Sequence, residues 1–496
     1  MKFIITLIFA WLLCFETLHA SDLSIMNEGT SHAFFSLNNR PVITAACSAP
    51  FLFFADSTVF DLKQWVDQQK ILGILHVTIP ISLNWQNIEA FVVAHGGKPE
   101  DCIFPYIETQ HMSRKFDLTR FNLRWWKRLR ENCSYLADNG FIIQLVLWDG
   151  RQLSLPQTNE KQELSWAGHF FNPANNIDTV TKALDNEHCI DIYHACADQK
   201  TELIKLQERL FRKVLESTFD VGSVYYNLCY QLSENQGYWE KTVIWIDEMY
   251  DSMRNTWRGL GASRQFIIGL DAGGMSEYQQ DWIFDNNRLN IMINSNSTDF
   301  NQLSRWRKLY MKPYCSTPMQ QQYQTEYETI PLNELDKTRN LLWYNSFIMN
   351  PFSVLYINGL KMQSESNLHK EPTVKQFVTN VSNWNLFWSK VEGYGQFDFQ
   401  GKISSRQYKS KLIQSSQNEA ILYLSSGIDS NDKIYKEERI NVERTLLDDG
   451  DYIAQIWDPV VGIIDLQDVS LIQGAFHLDM PGFSGGLAVH LVRDKK

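Results

Sequence analysis

From about residue 40 to residue 390, short apolar runs alternate with stretches whose apolar residues recur at helical spacing. A short run without polar breaks fits a strand buried on both faces, and the periodic stretches fit amphipathic helices. The runs are Pro41 to Cys47, Ile74 to Ile81, Phe141 to Trp148, Ser223 to Cys229, Phe266 to Leu270, Leu289 to Ile293, Pro313 to Thr317 and Phe352 to Ile357. Helices are predicted over Phe60 to Ile71, Thr201 to Thr218, Lys241 to Trp257 and Leu335 to Phe347. Another long helix carries Phe121, Trp125, Leu129 and Leu136 on one face and closes at Asn139-Gly140. Strand–helix units in this order predict an α/β fold, a (β/α)8 TIM barrel. A doubly wound open sheet is the alternative. The lack of GxGxxG or GxxxxGK[ST] at its first turn removes the nucleotide-binding form of that alternative.

After about residue 392 the period changes to that of strands: Ala420 to Leu424, Tyr452 to Trp457, Ala475 to Leu478 and Leu487 to Val492. Turn residues such as Asp449-Gly450 and Pro481-Gly482 separate them. This predicts a small all-β sandwich over 393–496, behind a barrel over 21–392. The chain opens with Lys2, an apolar run from Phe3 to Cys14, and the small residue Ala20. That pattern predicts a signal peptide over 1–20 and a secreted or periplasmic protein. An uncleaved anchor is the alternative, disfavoured by the short run and by Glu16. No later run is long enough to cross a bilayer, so no membrane association is expected after cleavage.

Net charge is −11 with no Lys/Arg cluster, which argues against nucleic acid as a partner. Once Cys14 leaves with the leader, Cys47, Cys102, Cys133, Cys189, Cys196, Cys229 and Cys315 remain, an odd set. No CxxC or Cys/His ligand spacing appears, so no metal or other cofactor is expected. Cys189 and Cys196 share one loop and are the pair an oxidising compartment would join. Cys47, Cys229 and Cys315 fall in predicted strands and are expected as buried thiols. Asn296-Ser297-Thr298 matches a glycosylation sequon. The chain is rich in Trp (16), Tyr (20) and Phe (29), side chains whose faces suit sugar rings as well as cores. No GxSxG supports a serine nucleophile.

Several stretches resemble bacterial cellulase-like glycoside hydrolases of the retaining barrel clan. Phe121 to Gly150 (FNLRWWKRLRENCSYLADNGFIIQLVLWDG) is similar to their third helix–strand unit, and His169 to Ile177 (HFFNPANNI) to their HPFN-ANN loop. The run LIKLQERLFRKVLESTFDVGSVYYNLCYQ resembles the approach to their fourth strand, and Lys312-Pro313 the opening of their seventh. Asp448 to Gly462 (DDGDYIAQIWDPVVG) is similar to a hairpin of the collagen-binding-type β-sandwich found behind such barrels. The resemblance implies a polysaccharide or glycan as partner, and two carboxyl groups about 5–5.5 Å apart at the ends of strands four and seven.

Those carboxyls are missing from the matching positions. The Asn-Glu pair of strand four falls on Tyr230-Gln231, and an amide has no proton to give. The nucleophile falls on Thr317 or Pro318, the strand-two Arg on Thr78, and a neighbouring Asn on Leu75. Glu234 is a possible rescue three residues past Gln231, paired with Glu326 or Glu328 beyond strand seven; solvated loop carboxylates are the plainer reading. Asp149 and Asp271 end strands three and five, where they bind a sugar hydroxyl or cap a loop. His169, Asn172, Asn175 and Asn176 either reach sugar hydroxyls or satisfy their own turn. Trp148 and Trp239 are stacking candidates or core residues. The leading expectation is a carbohydrate-binding pseudoenzyme. An active glycosidase and a protein-binding scaffold are the alternatives, and the oligomeric state is unspecified.

Overall fold

The computed structural model describes residues 22–26, 33–49, 52–55, 57, 59–71, 73–81, 84–94, 96–109, 113–153, 166–185, 188–232, 239–295, 300–315, 332–347, 352–354, 372–392, 397, 401–408, 410–425 and 434–494. The leader, the sequon, Glu234, Thr317, Pro318, Glu326 and Glu328 lie outside the described residues.

The predicted strands are present as β1 (Thr44–Ser48), β2 (Ile74–Pro80), β3 (Ile142–Asp149), β4 (Val224–Tyr230), β5 (Ile268–Gly269), β6 (Met292–Ile293), β7 (Tyr314–Cys315) and β8 (Phe352–Val354). All pair in parallel. One sheet runs β8-β1-β2-β3-β4-β5, a second joins β6 to β7, and a parallel bridge from Asp271 to Ile293 links the two. With helices between successive strands, this is the (β/α)8 barrel. β3 and β4 are buried at every position, which is why they read as apolar runs broken only by the buried Gln144 and Asn227.

The helix Leu123–Asp138 begins on Asn122, whose side chain accepts the Arg124 N–H, and ends before Gly140 at φ +82°. Trp125, Leu129 and Leu136 are buried as their spacing requires. Phe121 departs from the expectation: it closes the strand Phe116–Phe121, because Asn122 takes the capping position ahead of the helix. The helix Thr201–Thr218 buries Leu203, Leu206, Leu210 and Val214.

The bottom of the barrel is closed. A hairpin of Leu23–Met26 and Phe34–Leu37 places Leu23 and Phe35 against Ala46, Ile142, Tyr225, Ile267 and Ile291. The Leu23 N–H donates to the Gly222 carbonyl at 3.0 Å. Burying such side chains is worth roughly 1.5–3 kcal/mol each, so the plug is held firmly and the opposite, C-terminal mouth is left for a site.

Beyond the helix Pro372–Trp388, the chain folds into two larger antiparallel sheets and a two-stranded pair, Ile434–Tyr435 with Phe483–Ser484, around their own core. The five-stranded sheet runs in the order Ser410–Ser415, Glu419–Ser425, Gly486–Arg493, Gly450–Asp458, Gly462–Leu471. The three-stranded sheet runs Lys402–Ser404, Glu438–Glu443, Phe476–Met480. One face of the larger sheet packs on the barrel: Tyr423 stacks on Phe347 at 5.2 Å, and Trp457 meets Phe387 edge-on at 5.6 Å.

The Cys189–Cys196 pairing is corrected. Neither forms a disulfide, and Cys189 Sγ donates instead to the Leu153 carbonyl at 2.9 Å. Cys229 and Cys315 are buried thiols, while Cys47 is half-buried. Among the described residues no acidic, His or Cys group has metal-ligand geometry, and no helix is long and apolar enough to cross a membrane.

Candidate functional site

At the C-terminal mouth, the ends of β3, β4, β5 and β6 bring Asp149, Tyr230, Gln231, Asp271 and Ser295 together. Asp149 is fully buried, and its carboxylate is spent on Arg151. The Arg151 backbone N–H donates to Oδ1 at 3.1 Å, Nε to Oδ1 at 3.0 Å and Nη2 to Oδ2 at 2.7 Å. The same guanidinium lies over the Tyr230 ring, 4.6 Å from its centroid. Tyr230 is buried and packs on Val146, and burial pushes its phenol up.

Gln231 follows Tyr230 directly and is half-buried, with φ at +44°. A left-handed backbone at a non-glycine residue costs about 1–2 kcal/mol and persists only where the surroundings hold it. They do so from both sides. Its N–H donates to Asp271 Oδ2 at 3.4 Å, and its carbonyl oxygen abuts Gly150, where a Cβ would collide with it. The Gln231 Nε2 donates to Ser295 Oγ at 3.4 Å.

Asp271 has no exposed surface, and burial pushes its carboxyl up to about 6. Hydrogen bonds from Gly273, Ser295 and Gln231 pull the other way and limit the rise. Sequence reading named Asp271 and Gln231 but missed Arg151 and Ser295. Arg151 was legible as a cation two residues past a buried Asp. Ser295 was not, because nothing near it in sequence marks it.

The other expected residues lie elsewhere. His169 is buried, with its ring between Trp148 (5.5 Å) and Trp166 (5.0 Å), and its Nδ1 accepts the Phe171 N–H at 3.1 Å. The amides of its loop bond the loop itself. Asn172 Oδ1 accepts from the Ala174 N–H at 2.8 Å, Asn175 Nδ2 donates to the His169 carbonyl at 2.9 Å, and Asn176 Nδ2 donates to the Asn172 carbonyl at 2.8 Å. Trp148 is buried beneath this loop. Trp239 is half-buried and meets Trp282 edge-on at 5.5 Å. Thr78 is buried and donates to Gln144 at 2.9 Å, and Leu75 is half-buried.

The sequence matches no family model and no curated protein. Solved structures do match. A protein described as a glycoside hydrolase superposes with a TM-score of 0.57 at 10% identity, over 96% of this chain and 98% of that one. A glycoside hydrolase family 5 protein from Bacteroides vulgatus ATCC 8482 does so with a TM-score of 0.55 at 11% identity, over 96% and 94%. The class this defines is structural: the chain has the fold of cellulase-like glycoside hydrolase barrels with a β-sandwich behind them.

Proposed function

We propose that this chain is a secreted, glycoside-hydrolase-like protein that binds a polysaccharide or glycan at the C-terminal mouth of its barrel and hydrolyses it weakly or not at all. The observation that carries this reading is Gln231 at the end of β4. Glycoside hydrolysis needs a proton donor there, and an amide supplies hydrogen bonds but no proton. The two acids nearby do not replace it. Asp149 is neutralised by Arg151, and Asp271 is fully buried with its oxygens turned to backbone N–H groups. The half-buried Gln231 and Ser295 are the polar groups a sugar hydroxyl would reach. The leading apolar run from Phe3 to Cys14 supports export.

The test pairs retention with release. Wild-type protein is run by affinity electrophoresis through gels containing cellulose derivatives, β-mannan or xylan, and the same glycans are assayed for reducing ends. Slowed migration without release is expected. Release that disappears in Glu234→Gln would overturn the pseudoenzyme reading and install the active glycosidase that uses Glu234 with Glu326 or Glu328.

A further inference from the structure

Three successive strand ends converge on one carboxylate. Asp271 Oδ1 accepts the Gly273 N–H and the Ser295 N–H, each at 2.9 Å, and Oδ2 accepts the Gln231 N–H at 3.4 Å. The Ser295 hydroxyl bonds both Asp271 and Tyr230. Gly273 has no room for a side chain, because a Cβ would run into Ser295 Oγ.

We infer that Asp271 is a positioning residue, a clamp that fixes the Gln231 amide and the Ser295 hydroxyl as one rigid pair at the barrel mouth and loosens when it is protonated. The inference rests on the glycan-binding reading of that mouth. The two oxygens of Asp271 differ in load. Of the backbone N–H groups Oδ1 holds two and Oδ2 one, so a proton settles on Oδ2 and faces the Gln231 N–H, donor against donor. Gln231 then loses the hydrogen bond that helps to keep its backbone left-handed, while Gly273 and Ser295 keep theirs.

The neighbours leave Asp271 as the group that changes charge near neutrality. Cys229 and Tyr230 face it from β4 and Cys315 from β7, and burial pushes all three upward, so they stay neutral. Asp149 is held by Arg151 across Tyr230. Burial places the Asp271 transition at about 6.

Hydrogen exchange read by mass spectrometry on the full chain tests this, from pH 5 to pH 7.5 and corrected for intrinsic rates. Peptides covering 229–232 are expected to lose about five- to tenfold protection as pH falls through 6, the loss of roughly one hydrogen bond. Peptides covering 271–275 and 293–295 keep theirs. Asp271→Asn, which turns an NH2 toward Gln231, is expected to show the low-pH pattern at every pH. Protection over 229–232 that ignores pH in the wild type overturns the clamp, and this series decides even if the variant does not fold. Affinity electrophoresis in β-mannan and xylan gels across the same pH range supplies the second readout. Retention that weakens below pH 6 supports the clamp as a determinant of binding. A pH-dependent exchange pattern with no retention in any gel sustains the clamp and overturns the glycan reading.

Discussion

The imidazole of His169 stacks on the indole of Trp148, centroids 5.5 Å apart and planes 15° from parallel, with Trp166 on its other face. Burial holds His169 uncharged, down to about 3. His76, inside the barrel with Nε2 2.8 Å from the Tyr225 hydroxyl, is lowered to the same value. An imidazole that cannot charge in the folded state favours unfolding in acid.

The sign follows from linkage. For each histidine the folded pKa lies below the unfolded value, so its contribution is intact above 6.5 and is lost as pH falls. Asp271 acts oppositely: its raised carboxyl takes up a proton in the folded state first. Between pH 6 and 4 the unfolded chain holds about two more protons on the histidines than the folded chain does, and the folded chain holds about one more at Asp271. These three groups together are expected to remove about 1.4 kcal/mol of stability per pH unit in that window. Urea denaturation at pH 6, 5 and 4 measures it. His169→Phe keeps an aromatic ring between the two tryptophans, and it should cancel most of that slope even though the Phe171 N–H loses its acceptor.

Gln231 carries backbone strain that glycine would not. Gln231→Gly relieves about 1–2 kcal/mol and returns roughly half of that through a more flexible unfolded chain. The variant should therefore be more stable by up to about 1 kcal/mol in thermal or urea unfolding, and should lose retention on glycan gels. A more stable variant with unchanged retention would remove Gln231 from the binding surface.

Gly150 tests the same peptide from the other side. A methyl group there meets the Gln231 carbonyl oxygen, a backbone atom that cannot turn aside. Gly150→Ala is expected to cost about 1–3 kcal/mol, as overpacking does, and to weaken glycan retention. Ala at the exposed Gly259, the last residue of its helix, where a Cβ meets nothing, is the comparison and is expected to gain up to about 1 kcal/mol.

Legibility in the sequence followed burial. β3 and β4 were plain because both faces are covered, so apolar side chains fill their interiors except at the buried Gln144 and Asn227. β5, β6 and β7 pair over two residues each, and their longer predicted runs overstate them. The helix Trp85–Ala94 went unread although Asn84, which accepts the Gln86 N–H at 2.8 Å, and Gly96-Gly97 mark its ends. The helix Glu277–Asp285 was missed too, despite the Ser276/Gln279 capping box. The bottom plug was missed because its strands are short and set in a polar context. At the mouth, Gln231 and Asp271 were named singly. Their meeting was not legible, because it joins positions 40 residues apart and a serine a further 24 along.

The barrel and the sandwich should unfold together. Glu419 and His490 lie on the sheet face that meets the barrel, both almost fully buried, with Oε1 to Nε2 at 2.5 Å. Glu419 Oε1 also accepts the Glu392 N–H at 3.1 Å, just past the last barrel-side helix, and Asn383 of that helix donates to the Val460 carbonyl at 2.8 Å. Phe387 lies edge-on to both His490 and Trp457. Tyr423, Trp457 and Ala488 belong to the same apolar cluster as the barrel helices, so the interface is core and not a hinge. Glu419→Ala strips the buried His490 ring and the Glu392 N–H of their acceptor and is expected to cost about 1–3 kcal/mol. Replacing Glu419 and His490 together by leucine should cost less than the single change, because no buried donor of the pair is then left alone. A single denaturation transition followed by Trp fluorescence and far-UV circular dichroism is expected for the wild type. Phe387→Ala, which opens a cavity at the junction, should split it in two. Two transitions in the wild type would show that the sheets dock without sharing a core.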